Sequence, residues 1–427
     1  MKQHFFSKML MLLLLFGCSV SDSWAQEKSL SKFQSKNLSE TNDNVNSTLF
    51  NYKNGKSLRV FQNKIKNGES IIGFENGVIT EEGRIIKFSN KNEEAILFND
   101  NVLTTYSTVA THEDEGITEV RAYQIVNSKL KLIKLEKIRT LGVGCKIINE
   151  GQNIVLDDFV MEAGMNFVFF DKKLRHLNTY TPFKTGSSFY ACNSNTDHSV
   201  IVCGENNTNN YKIAYFDKFC KLIKENSFTL KEKFRLNTLY IIGNQVVISG
   251  LNVNSTQLTP HLYCISNKGD ILWDKNMTLG LDYKGLGIVG NDRIAYALNH
   301  KTDFDRNHFI TSFNPITGKY IAEININKDF SDSMSKDKSS KNNLIPWVND
   351  FKMDDNDNLL VVLAQLFIDS DNNDSNYQNG QLLMVDNILN AKIITSNLSS
   401  SKFFKIEKFE NKIRLLNSSK IYYENEK

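Results

Sequence analysis

This sequence predicts an all-β fold built from repeated four-stranded antiparallel units, and three observations carry the prediction. A turn rich in Asn, Asp and Gly recurs along the chain, each time followed directly by a run of β-formers. A second family of tight turns recurs in step with the first. No stretch sustains the 3.6-residue apolar period that a helical repeat of similar length would need.

The first family comprises Asn99-Asp100-Asn101, Gly151-Gln152-Asn153, Thr196-Asp197-His198-Ser199, Gly243-Asn244-Gln245, Gly290-Asn291-Asp292-Arg293, Asn356-Asp357-Asn358 and Glu410-Asn411-Lys412. The strands that follow begin their apolar runs at Val102, Ile154, Val200, Val246, Ile294, Leu359 and Ile413, a period near 47 residues with three longer intervals. The second family, at Asn127, Asp171, Asp217, Asn267, Asn314 and Asp386, keeps the same period. Its long last interval contains two polar insertions, Asn327 to Asn343 and Asp369 to Gly380. Segments such as Leu262–Trp273 and Phe309–Ile321 read as strand, turn, strand, with the turn residues supplying permissive or preset backbone angles.

Four short strands recurring at this interval describe the blades of a β-propeller. One such sheet cannot hide both faces alone, whereas a circle of them leaves only short protected edges. The ruler gives seven blades, with six to eight compatible with the length. The strands read at Ser70 to Phe74, Val78 to Thr80 and Arg84 to Phe88 have no marker of their own. They are expected to complete the last blade, so that N- and C-terminal strands pair and shut the ring; an eighth, N-terminal blade is the alternative. The phrase Asn267-Lys268-Gly269-Asp270-Ile271-Leu272-Trp273-Asp274 resembles the blade repeat of quinoprotein-like propellers, and the whole period resembles WD40-like repeats. That resemblance implies a fold and transfers no activity.

The remaining features bound location and chemistry. The chain has 427 residues, 41% hydrophobic and 23% charged, with 51 basic and 48 acidic side chains evenly mixed. That balance lacks the electrostatic footprint of a nucleic-acid binder. Lys2 and Lys8 precede the apolar run Met9 to Phe16, which is the pattern of an export signal and is too short to span a bilayer. Cleavage after Ala25 would release residues 1–25; alternatively, Leu15-Phe16-Gly17-Cys18 resembles a lipobox, which implies removal of 1–17 and lipidation of Cys18. Residues 26–57 read as a flexible tether and 58–427 as one propeller, expected as a monomer that is periplasmic, cell-surface or extracellular. Cys192 and Cys203 fall on consecutive strands, where either a cross-strand disulfide or two buried thiols fit, the thiols being the simpler reading.

In a four-stranded blade, the second-to-third connections share an end of the ring with the links between blades. The polar excursions Glu205 to Asn210, Asn252 to Pro260, His300 to His308, Asp369 to Gly380 and Asn327 to Asn343 all fall on that end, the expected recognition face. Two of them carry Asp-x-Asp-x-Asn, Asp303-Phe304-Asp305-Arg306-Asn307 and Asp369-Ser370-Asp371-Asn372-Asn373. Oxygen ligands on alternate residues suit calcium, although neither loop completes the twelve-residue pattern. His300 and His308 flank the first loop. Nucleophile-elbow, zinc-protease and phosphate-loop motifs are missing from the sequence. The leading expectation is therefore an exported, non-catalytic propeller binding a protein, peptide or glycan; a carbohydrate hydrolase or lyase with a channel-centred site, and a structural envelope lipoprotein, are the alternatives.

Overall fold

The computed structural model describes residues 33–37, 45–51, 54–67, 70–90, 93–110, 116–140, 145–148, 152–160, 164–184, 186–195, 197–253, 258–277, 283–301, 308–326, 345–369, 374–398, 405–409, 412–416 and 420–424. The chain is a β-propeller whose described strands form eight four-stranded antiparallel sheets. Blades 1 to 7 occupy 45–87, 94–140, 145–180, 187–229, 233–276, 283–325 and 345–398; blade 8 combines 405–424 with Phe33–Asn37.

In blades 1 to 7 the hydrogen-bonded order follows the chain, in blade 8 the N-terminal strand is added outermost, and a strand's position decides its composition. The second strand is sandwiched between neighbouring blades, so both of its faces are apolar. Val200, Ile201, Val202 and Cys203 are all fully buried, as are Val246 to Ile248 and Val361 to Leu363. The outermost strand has only one covered face: Ile271–Asn276 and Tyr320–Asn325 contain no fully buried residue. Seven apolar clusters fill the seven successive junctions, from Leu58, Val78 and Leu103 between blades 1 and 2 to Leu360, Ile406 and Leu415 between blades 7 and 8. Blade 8 in turn meets blade 1, where Arg414 donates to the Gly55 carbonyl and lies 5.9 Å from the Phe50 ring.

The Asn and Asp excess has a local cause. At Asp171, Asp217 and Asp386, carboxylate Oδ1 accepts the amides two and four residues on, at 2.8 to 3.1 Å. Those bonds hold Leu174, Cys220 and Leu389 at φ of 58°, 61° and 64°, a left-handed conformation unfavourable for side chains other than glycine. Each of the three is buried against the core, so packing also offsets the strain. Successive blades are latched in one direction: Lys134, Asn178, Asn226 and Lys275 on outer strands donate to Leu174, Cys220, Asn267 and Gly318 carbonyls in the next blade's turn, at 2.7 to 2.8 Å.

Three features differ from expectation. The sheets number eight, the upper end of the range, because Val45–Phe50, Ser57–Asn67, Ser70–Thr80 and Ile85–Lys87 form a blade of their own. The terminal pairing expected of those strands is made instead by Phe33–Asn37 against Lys420–Glu424. Two strands thus lie within the stretch 26–57 that reads as a tether: its Ser, Asn and Lys content is that of an outer, solvent-facing strand as much as of a linker. Finally, Asp369 to Gly380 is mostly not a loop, since Asp374–Val385 pairs along Leu359–Asp369.

Burial also fixes an alkaline response. The phenol of Tyr211 is pushed up to about 12, and those of Tyr123, Tyr180, Tyr215, Tyr240 and Tyr296 are pushed further, in every case chiefly by burial. Unfolded phenols ionise near ~10. Stability that is complete below that value should therefore fall as pH rises from about 10 toward 12, where the unfolded chain releases protons the folded one retains. A spectrophotometric titration should show these tyrosines ionising only together with loss of the β signal in circular dichroism.

Candidate functional site

The strand order assigns every connection to an end. First-to-second and third-to-outer turns share one end and are short, like Asp217 to Lys221. Strands bounding 254–257, 302–307, 327–344 and 370–373 stop at the opposite end, which carries the longest connection, 327–344. This loop-bearing end sits on a rigid base.

Of the residues predicted to hold calcium, Asp303, Asp305, Asn307, Asp371 and Asn373 lie outside the described residues, as does Cys18. Asp369 ends the second strand of blade 7, its backbone opposite Asp374. The backbone does bring His300 and His308 together, as the last rung before 302–307, with the His308 side chain buried. Among the described residues no three metal-ligating side chains converge. Cys192 stands opposite Ile201 and Cys203 opposite Tyr190, two rungs apart, and no disulfide joins them. Cys203, Cys220 and Cys264 are buried, and burial pushes the latter two thiols up to about 12, the profile of inert core thiols.

Three polar junctions were not anticipated. Between blades 1 and 2, buried Glu93 accepts the Thr105 hydroxyl, and the Asn76 amide reaches its carbonyl at 3.0 Å. Arg121 bridges Ser107 at 2.8 Å and pairs with Glu119, which Lys137 also holds at 2.9 Å. Between blades 7 and 8, fully buried Glu407 meets Lys352 at 2.8 Å and Lys405 at 2.6 Å. Burial opposes its charge but the two ammonium groups outweigh that, leaving the carboxyl below its ordinary range. Beside it, burial pushes Asp350 up although Oδ2 accepts the Ile406 amide at 2.7 Å. No local signal marked them: Glu407 stands in Lys405-Ile406-Glu407-Lys408, an alternation that reads as a solvated strand.

The third junction, between blades 5 and 6, opens a pocket of about 210 Å³ on the side of the ring. Lys275 and Met277 line it from blade 5, and Thr311, Phe313, Tyr320 and Glu323 from blade 6. Thr311 donates to Glu323 Oε2 at 2.9 Å, and burial pushes the Glu323 carboxyl above its usual range. Lys275 turns its ammonium away to the Gly318 carbonyl and lies 5.8 Å from the Tyr320 ring centre.

Comparisons with known proteins agree on the fold and go no further. No family model and no curated protein sequence matches this chain. Among solved structures it is similar to Sqt1 from Chaetomium thermophilum, at 9% identity and TM-score 0.50 over 91% of this chain and 98% of that one. It is also similar to the C-terminal WD40 domain of Sif2, at 11% identity and TM-score 0.42 over 92% and 99% of the two chains. The β-propeller domain of the Trilobed protease from Pyrococcus furiosus is similar at 10% identity and TM-score 0.39, over 76% and 93%. At such identities the similarity shows the fold alone.

Proposed function

We propose that this propeller is an exported binding scaffold that holds a protein or peptide partner on its loop-bearing end. The observation that carries the reading is the contrast between the ends: one is closed by Asx-capped turns, while the other carries the longest connection, 327–344, on a base whose blade junctions are packed. Binding surfaces built that way cost little ordering entropy in the scaffold, so the loops alone set specificity. The N-terminal Lys2, Lys8 and apolar Met9 to Phe16 support export, with residues 1–25 or 1–17 removed.

Replacing 327–344 and 370–373 by short Gly-Ser linkers should abolish capture of partners from a cell-envelope extract while leaving the melting temperature within a few degrees of the parent. A short-turn variant at the opposite end, Phe219→Ser, should capture normally; undiminished capture by the loop variant would refute the assignment of the end. Mass spectrometry of the exported protein should find an N-terminus at Gln26 or an acylated Cys18, and an intact Met1 would exclude both.

A further inference from the structure

The ring contains its own reference for the pocket between blades 5 and 6. At the junction of blades 3 and 4, Tyr180 donates its hydroxyl to Glu225 Oε2 at 2.7 Å and sets its ring edge-on to Phe216, centroids 5.2 Å apart. Lys212 supplies the ammonium for Glu225 Oε1 at 2.7 Å. Strand register aligns the two junctions. In blade 4, Phe216 pairs with Leu222 and Ala214 with Glu225; in blade 6, Phe313 pairs with Tyr320 and Thr311 with Glu323. On the preceding outer strands, Tyr180 pairs with Phe167 at the rung where Lys275 pairs with Leu262.

Glu323 and Phe313 thus repeat Glu225 and Phe216, but the tyrosine and the lysine are both replaced. Lys275 takes the place of Tyr180 and sends its head group to Gly318; Phe309 takes the register position of Lys212. Among the described residues, Thr311 is the only hydrogen-bond donor to the Glu323 carboxylate. The space one tyrosine ring fills in blades 3 and 4 stands open here, beside the same carboxylate and the same phenylalanine.

We infer that this junction is a receptor for a phenol, supplied by a tyrosine side chain of a partner or by a free phenolic molecule, with its ring against Phe313 and its hydroxyl donated to Glu323. The pocket, at about 210 Å³, lies below the roughly 300–1,000 Å³ of drug-sized sites and suits one side chain. A neutral phenol can donate to Glu323, whereas a carboxylate would be repelled by it. The groups facing Glu323 are Lys275 from blade 5 and Thr311 and Tyr320 from its own blade. An ionised acceptor makes the stronger bond, so binding strengthens as pH rises through the Glu323 transition. The site is on the side of the ring and stands apart from the loop-bearing end.

The test is calorimetric titration of the full chain with p-cresol, with Trp273, 5.9 Å from Phe313, as a fluorescent reporter. Binding should weaken about tenfold or more for 4-methylanisole, which lacks the donor, and for Glu323→Gln. Lys275→Tyr should rebuild the junction of blades 3 and 4, abolish p-cresol binding and raise Tm, which also proves that variant folded. The peptide Gly-Gly-Tyr-Gly-Gly separates the sources: binding at least as tight as p-cresol identifies a tyrosine side chain, and p-cresol binding alone a free phenol. Equal affinity for p-cresol and 4-methylanisole, unchanged p-cresol binding by Lys275→Tyr, or no binding of either phenol overturns the inference.

Discussion

A chain lacking residues 1–40 should be less stable than the parent by about 3–5 kcal/mol, whereas one lacking only 1–30 should match it. The difference is Phe33–Asn37, the outer strand of blade 8. Its five rungs run from Phe33 opposite Glu424 to Asn37 opposite Lys420, and each ladder bond contributes about 1 kcal/mol. Removing it leaves Lys420–Glu424 as an edge and frees the strand that, among the described residues, pairs the N-terminal part of the chain with blade 8. Denaturant midpoints of the two truncations measure the loss, and chymotryptic cleavage at Tyr422 and Tyr423 should rise only in the longer deletion. Equal midpoints, with cleavage unchanged, would show that the ring does not depend on this pairing.

Removing a single oxygen should cost nearly as much. The Tyr211 hydroxyl both accepts the Phe234 amide and donates to the Phe234 carbonyl, each at 2.8 Å, across the junction of blades 4 and 5. Tyr211 and Phe234 are 2% and 1% exposed, so water cannot replace the lost partner. Tyr211→Phe keeps the ring and its stacking on Phe228 yet strands two buried backbone groups, at about 1–3 kcal/mol each. A loss of about 2–4 kcal/mol in denaturant unfolding is expected, with the slope unchanged. A loss below 0.5 kcal/mol would mean that the backbone shifts to find other partners. The contrast is Tyr320→Phe, on the exposed outer strand, which should be nearly silent.

How far the sequence reaches is clearest at the turns. Asn314, Asp171 and Asp217 were legible because an Asx turn depends on one side chain bonding its own neighbouring amides, a purely local requirement, which the Ser266 hydroxyl meets in the turn at Asn267. Blade 1 was legible only as the alternative for the same reason. Its third-to-outer turn is Glu81-Glu82-Gly83-Arg84, which closes with Gly83 at φ 83° and carries no Asn or Asp marker. Its first marker was nonetheless present: Asn54-Gly55 precedes Leu58 by the usual spacing. Phe33–Asn37 was illegible because an outer strand buries little, and its Ser, Lys and Asn side chains match those of a linker.

The candidate sites divide along the same line. The loop-bearing end followed from counting strands, since alternation of ends is a property of chain order alone. Glu93, Glu407 and the pocket beside Glu323 did not, because each depends on side chains from two blades meeting at a junction.

By itself, then, the sequence determined the strand period, the turn chemistry and the end to which each connection belongs, all set by interactions within a few residues. Tertiary structure alone decided that the described strands form eight sheets, which strand completes the last one, and which carboxylates are satisfied across a junction. Those depend on pairings between segments as distant as Phe33 and Glu424, or Tyr180 and Glu225, whose energy exists only once neighbouring blades are in place.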